Sequence, residues 1–137
     1  MATYPLSESY ADGQVLTAAN VNSITEGVND IAFGVLNAQT GTTYTLALTD
    51  VAKVITLTNA GAIALSVPTN ASVAFPIGTQ IMLYQGGAGQ VTVSAVTPAT
   101  TSIRSSGSKT KMNGLYSTCG LLKIATDEWV FFGNTAT

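Results

Sequence analysis

The sequence predicts a mainly β chain, an antiparallel β-sandwich or jelly-roll-like domain of about eight strands, preceded by an extended N-terminal arm and one short α-helix. Two observations carry the β prediction. Beyond Thr42, short apolar runs recur about every 8–12 residues with turn residues between them, the pattern of an antiparallel sandwich or barrel. No stretch resembles a βαβ crossover, which would announce a parallel sheet. A third observation sets the front apart: Val21, Ile24, Val28, Ile31 and Val35 are spaced three, four, three, four, an a/d seam along one side of a helix.

Residues 1–16 mix Tyr4, Pro5, Leu6, Tyr10 and Leu16 with Ser, Asp12 and Gly13, with neither helical nor strand period. They read as an extended attachment arm. Tyr4, Leu6, Tyr10 and Leu16 are too much apolar surface to leave in water without reason, so the arm is expected to lie on a neighbour or on its own β-domain. A partly ordered terminus is the plainer alternative. Met1 to Pro5 carry no basic n-region and no apolar h-region, so no secretory signal is expected.

Residues 17–36 are the predicted helix, with Thr17 as N-cap. Gly27 and Gly34 cost about 1 kcal/mol each relative to Ala, so packing against something must hold it. An amphipathic helix lying on its own sheet is one answer, although such a helix normally shows a wider apolar face. Copies of itself are the other. β-Branched residues at both the a and the d positions then lean towards three strands over two.

Residues 37–137 are the predicted β body. Residues 43–48 alternate, with Tyr44, Leu46 and Leu48 on one face. Residues 54–58 and 63–67 are the next strands, joined through Asn59-Ala60-Gly61 as a hairpin, and Pro68 stops the second. Phe75 is expected to be buried from a loop. Residues 81–85 and 91–96 should pair around Gly86, Gly87, Ala88 and Gly89. Ile103, residues 115–124 and residues 129–132 complete the strands. The core is expected from Ile63, Leu65, Val67, Ile81, Leu83, Val91, Val93, Ile103, Leu121, Trp129 and Phe131.

Composition narrows function. Of 137 residues, 46% are hydrophobic and only 9% charged. No apolar run approaches the ~18 residues of a membrane span, so no membrane partner is expected. A surface of Thr, Ser, Asn and Gln repels itself weakly and suits a protein whose faces are occupied by partners. Charge is unevenly divided: residues 1–41 hold Glu8, Asp12, Glu26 and Asp30 without any Lys or Arg, while the remainder holds five basic and three acidic groups.

Catalytic patterns are not found. There is no histidine, and the one cysteine, Cys119, excludes an internal disulfide and reads as a small buried thiol. Glu26 and Asp30 share a helical face without an aromatic neighbour to stack on a sugar, which makes them solvated groups before glycosidase carboxylates. The glycines at 86, 87 and 89 follow a strand, but no helix and no Lys-Ser/Thr follow them, so a turn is expected before a phosphate cradle. Arg104, Lys109 and Lys111 cluster around Ser105, Ser106, Gly107 and Ser108. With no interleaved aromatic this is a poor nucleic-acid site. It is a solvated loop or a candidate docking loop for an acidic partner. No enzyme activity, cofactor, metal or nucleic-acid partner is expected.

Longer phrases carry a resemblance. Asn37-Ala38-Gln39-Thr40-Gly41-Thr42-Thr43-Tyr44-Thr45-Leu46, Phe75-Pro76-Ile77-Gly78-Thr79-Gln80-Ile81, Lys123-Ile124-Ala125-Thr126 and Glu128-Trp129 together resemble the small β-sandwich domains of tailed-phage virion proteins, of the head-decoration and fibre-module type. Gly13-Gln14-Val15-Leu16-Thr17-Ala18-Ala19-Asn20-Val21-Asn22 is similar to the lead segment that often precedes fibre modules. The resemblance covers residues 37–134 and the lead, and it implies a structural role in a virion assembled in the bacterial host cytoplasm. Trimers are common among such modules. The expectation is a homotrimeric capsid decoration or head-fibre protein, attached to other virion proteins by its N-terminal segment. The competing expectation is a tail fibre or spike module that grips a host receptor or glycan through residues 104–111 and 129–132.

Overall fold

The computed structural model describes residues 35–137. Of the predicted seam only Val35 falls among them. Val21, Ile24, Val28 and Ile31, and the arm residues Tyr4, Leu6, Tyr10 and Leu16, lie outside the described residues.

The described chain is mainly β, in two sheets. In chain order the strands are β1 (Leu36–Gln39), β2 (Thr43–Thr45), β3 (Val54–Leu57), β4 (Ile63–Val67), β5 (Gln80–Gln85), β6 (Val91–Ala95), β7 (Ser102–Arg104), β8 (Lys111–Met112), β9 (Thr118–Ala125), β10 (Glu128–Gly133) and β11 (Thr135–Ala136). One sheet has six strands in the order β1-β3-β5-β9-β10-β7, the other five in the order β11-β8-β6-β4-β2.

This topology corrects the antiparallel prediction. The first six strands alternate between sheets, so that β1, β3 and β5 run parallel in one and β2, β4 and β6 parallel in the other. The chain therefore coils through three flattened turns. A parallel pair needs a crossover, and here the crossover is a strand of the opposite sheet instead of a helix. Antiparallel pairing enters later, where β9 joins β5, β10 joins β9, β8 joins β6 and β11 joins β8. The two expected hairpins, at residues 59–61 and 86–89, are connections between sheets. β9 and β10 form an antiparallel hairpin that turns at Thr126 and Asp127. At the front, Leu36 pairs with Val54 in a strand, so the predicted helix does not reach it. The strand expected over residues 43–48 ends at Thr45, and Leu48 is exposed in a 3-10 turn, Leu48–Asp50.

Alternation along the strands builds one core from both sheets. Ile55, Leu57, Ile81, Leu83, Leu121, Trp129 and Phe131 come from the six-stranded sheet. Ile63, Leu65, Val67, Val91, Val93 and Met112 come from the five-stranded sheet. Each such side chain contributes about 1.5–3 kcal/mol through burial. Phe75 enters from the connection after β4 and meets Trp129 edge to face, with centroids 5.3 Å apart. Ile103, on edge strand β7, packs against this core but stays partly buried.

Glycine stacks the turns at one end of the coil. Thr58 N donates to Gln39 O, and Asn59 reaches both neighbouring turns, its Nδ2 donating to Thr40 O and its carbonyl accepting from Gly89 N. The turns lie so close that a Cβ on Gly89 would stand 1.8 Å from Gly61 O. The glycine-rich run is thus a stacking device.

The first coil turn has a polar interior. Asn37 and Gln39 pair with Ile55 and Leu57, and Tyr44 with Leu65, so all three occupy core-facing positions. They surround Asp50, which is fully buried. Its carboxylate accepts from Asn37 Nδ2 at 2.8 Å, Tyr44 OH at 2.8 Å and Ala47 N at 2.8 Å. Three donors offset the cost of burying a carboxylate. Burial first, then bonding to Asp50, raises the Tyr44 phenol above its usual 10.0.

Candidate interaction surface

Strand register lines up an apolar row on the outward face of the six-stranded sheet. Leu36 pairs with Val54, Val54 with Met82, Met82 with Gly120, and Gly120 with Phe132. Alternation turns these residues away from the core. Leu36 is 65% exposed, Met82 47% and Phe132 48%. The Phe132 ring lies over Gly120, where a Cβ would stand 2.3 Å from Cζ, so that position needs glycine for the ring to rest on the strand. Beside the row, Leu122 pairs with Val130, and Ile124 is also exposed. A shallow concavity of ≈ 470 Å³ opens between Val54, Met82, Gly78, Gln80 and Phe132. Scattered apolar residues on a surface are ordinary, whereas this row is contiguous, with Lys53 also lining the concavity, and it is the candidate contact surface of the described residues.

The rim carries an ion pair. Arg104 Nε donates to Glu128 Oε1 at 2.7 Å, both side chains being partly exposed. The structure therefore divides the predicted docking loop. Arg104 ends β7 at the edge of the six-stranded sheet and is already paired, whereas Lys111 opens β8 in the other sheet. Lys109 lies between them after a 3-10 turn, Ser106–Ser108, half-buried, its carbonyl accepting from Ser105 Oγ.

Lys123 is a functional-looking residue that the sequence reading did not single out. It is 1% exposed, and its Nζ donates to Asn70 Oδ1 at 2.6 Å and Phe75 O at 2.7 Å, 6.0 Å from the Trp129 ring centroid. Desolvation holds its ammonium below the usual 10.5, partly opposed by Asp127. Asp127 in turn accepts from Asn70 N and Thr101 Oγ1. Together these bonds tie the long connection between β4 and β5 to the hairpin, which is a structural task. Alternation with Cys119 and Leu121 was the signal that points Lys123 inward. Cys119 is buried, and desolvation pushes its thiol up to about 11, which leaves it protonated and unreactive at neutral pH.

Exposed aromatic surface occurs away from Trp129, which is buried beneath Phe75. Tyr116 is 70% exposed beside exposed Leu115, in a left-handed backbone conformation with φ 67°. Among the described residues, no group of three or more His, Cys, Asp or Glu is placed to hold a metal ion. No family model, curated protein or solved structure matches the chain.

Proposed function

We propose that this chain is a structural protein of a tailed-phage virion, a homotrimeric capsid decoration or head-fibre protein attached through its N-terminal segment. The observation that carries the reading is the apolar row Leu36, Val54, Met82 and Phe132 on a body with few charges, a surface suited to standing contact with protein. The two sheets then serve as a β-sandwich body, and the function is mechanical. The virion assignment draws on the sequence phrases quoted above. Three linked N-terminal segments would multiply a weak individual affinity for the particle. Cryo-electron microscopy of particles, with and without the protein, tests the placement. Density for it on the head is the expected result, and density confined to the tail would overturn it. A chain lacking residues 1–20 should fail to bind virions stripped of the protein, and undiminished binding would remove the arm from the reading.

A second reading, a tail fibre or spike module for a host receptor or glycan, is favoured by the exposed Tyr116 and Leu115, an aromatic platform of the kind that sugars stack on. Purified protein would then adsorb to susceptible cells and block infection. Absence of adsorption counts against it.

A further inference from the structure

We propose that Lys123 and Asn70 are the two partners of a self-forming intrachain isopeptide bond, which joins strand β9 covalently to the connection between β4 and β5. The proposal stands apart from the virion reading. Four observations carry it.

The first is the contact. Lys123 Nζ and Asn70 Oδ1 lie 2.6 Å apart, although the residues are 53 positions apart in the chain. An amide carbon is about 1.23 Å from its oxygen, so Asn70 Cγ stands within about 3.8 Å of the amine nitrogen whatever the angle at the oxygen. Atoms poised for attack sit about 3–3.5 Å apart, which a small shift of the Asn70 side chain supplies.

The second is confinement. Lys123 is 1% exposed beside Trp129, and a bond to Phe75 O at 2.7 Å fixes its amine. A buried ammonium ordinarily faces a carboxylate at bonding distance, whereas the bonded partners here are two neutral carbonyl oxygens. Desolvation lowers the ammonium from its usual 10.5, against a smaller opposing effect of Asp127, and so favours the neutral amine that attacks.

The third is a carboxylate beside both partners. Asp127 Oδ1 accepts from Asn70 N at 2.8 Å and from Thr101 Oγ1 at 3.1 Å, and its charge acts on Lys123. The fourth is a rigid frame. Lys123 pairs with Trp129 within β9, its N donating to Thr79 O and its O accepting from Gly78 N, so the amine is presented from the middle of a sheet. Partners held in this way react as one molecule, without the entropy cost of meeting.

The step is an amide exchange and needs no oxidant. Lys123 passes one ammonium proton to Asp127 through a water, and the neutral Nζ adds to Asn70 Cγ, forming the Nζ–Cγ bond and leaving negative charge on Oδ1. Nζ then loses a second proton and Nδ2 gains one. The carbonyl re-forms as the Cγ–Nδ2 bond breaks with its electron pair on nitrogen, and the ammonia released takes the proton held by Asp127 and departs as ammonium. The product is a covalent ring over residues 70–123, which unfolding cannot open.

Mass spectrometry of the full chain tests the proposal. The intact wild type should be about 17 Da lighter than its composition gives, the mass of the ammonia lost. Trypsin should release residues 54–104 joined to residues 112–137 as one branched peptide, uncut after Lys123. Asn70→Ala and Lys123→Met should each show full mass, and Asp127→Asn should leave most of the chain unlinked, all with the far-ultraviolet circular dichroism spectrum of the wild type. Should a variant fail to fold, the branched peptide of the wild type decides alone. A folded wild type that keeps full mass after prolonged incubation in mild alkali overturns the proposal. So does a lighter chain that trypsin still cuts after Lys123, because closure of Asn70 on its own backbone also expels ammonia. A fully linked Asp127→Asn protein overturns the role given to the carboxylate.

Discussion

The two sheets can be compared row by row. Outward across the six-stranded sheet, the chain places Leu36, Val54, Met82, Gly120 and Phe132; outward across the five-stranded sheet it places Thr43, Ala64, Thr92 and Lys111, with Thr45, Ser66 and Ser94 in the next row. Both faces stand on the same three coil turns and cover the same core. Thr satisfies strand propensity and water together, so a soluble β body has no need of Met or Phe in such positions. Leaving apolar surface in water forgoes about 25 cal/mol per Å² that burial would return. The difference teaches that the two faces of one coil differ in chemistry, one presenting an apolar row and the other a polar one.

The comparison breaks first at the scaffold that both faces share. Gly89→Ala drives a Cβ into Gly61 O, and because backbone meets backbone the strain has no flexible side chain to absorb it. A loss of about 3 kcal/mol is expected in urea denaturation. A loss below about 1 kcal/mol would mean that the stacked turns do not hold the rows in register.

Lys123→Met, set against chain in which Lys123 is still a free amine, tests the interior of the six-stranded sheet alone. It strips the donor from Asn70 Oδ1 and Phe75 O, for an expected loss of about 2 kcal/mol near neutral pH. Because the folded state holds Lys123 below 10.5, the unfolded chain binds more protons between the folded value and 10.5. The wild type should gain stability relative to the variant as pH rises through that window, and a pH-independent difference would contradict the burial of a charged amine.

Smaller effects separate rim from face. Arg104→Ala removes an exposed ion pair, worth about 0.5 kcal/mol and screened by salt; a larger loss at high salt would show that Arg104 packs instead of pairing. Thr92→Asp on the solvent side should change the melting free energy by less than about 0.5 kcal/mol. A greater change would give the polar face a burden that its exposure does not suggest.

Much of the interior was legible. Period-two alternation identified Ile63, Leu65, Val67, Ile81, Leu83, Val91, Val93, Leu121, Trp129 and Phe131 as core, and all are buried, because each strand presents alternate side chains to one cavity regardless of which strand it pairs with. Pairing was not legible for the same reason. Leu36, Val54 and Met82 sit in one row at unequal sequence spacing, so no fixed repeat announces the coil, and a crossover made of strand looks like a hairpin arm. The interaction surface needed that pairing. Leu36 read as a helix end, while Met82, Gly120 and Phe132 are distant in sequence and meet only through register. The burial of Lys123 and Asp50 was not read from the sequence, although alternation in one case and a polar-lined first turn in the other take both inside.

That polar first turn also bears on how far assembly can go. A coil whose last layer exposed Ile or Leu would invite another coil to dock end on, adding layers without limit, as open-edged parallel strands do in fibrils. Here the core-facing side chains of the first turn are Asn37, Gln39 and Tyr44, bonded around the buried Asp50 carboxylate, and replacing them by apolar side chains would dismantle bonds that already satisfy the buried charge. The polar interior of the first turn therefore disfavours stacking of a further apolar layer on it.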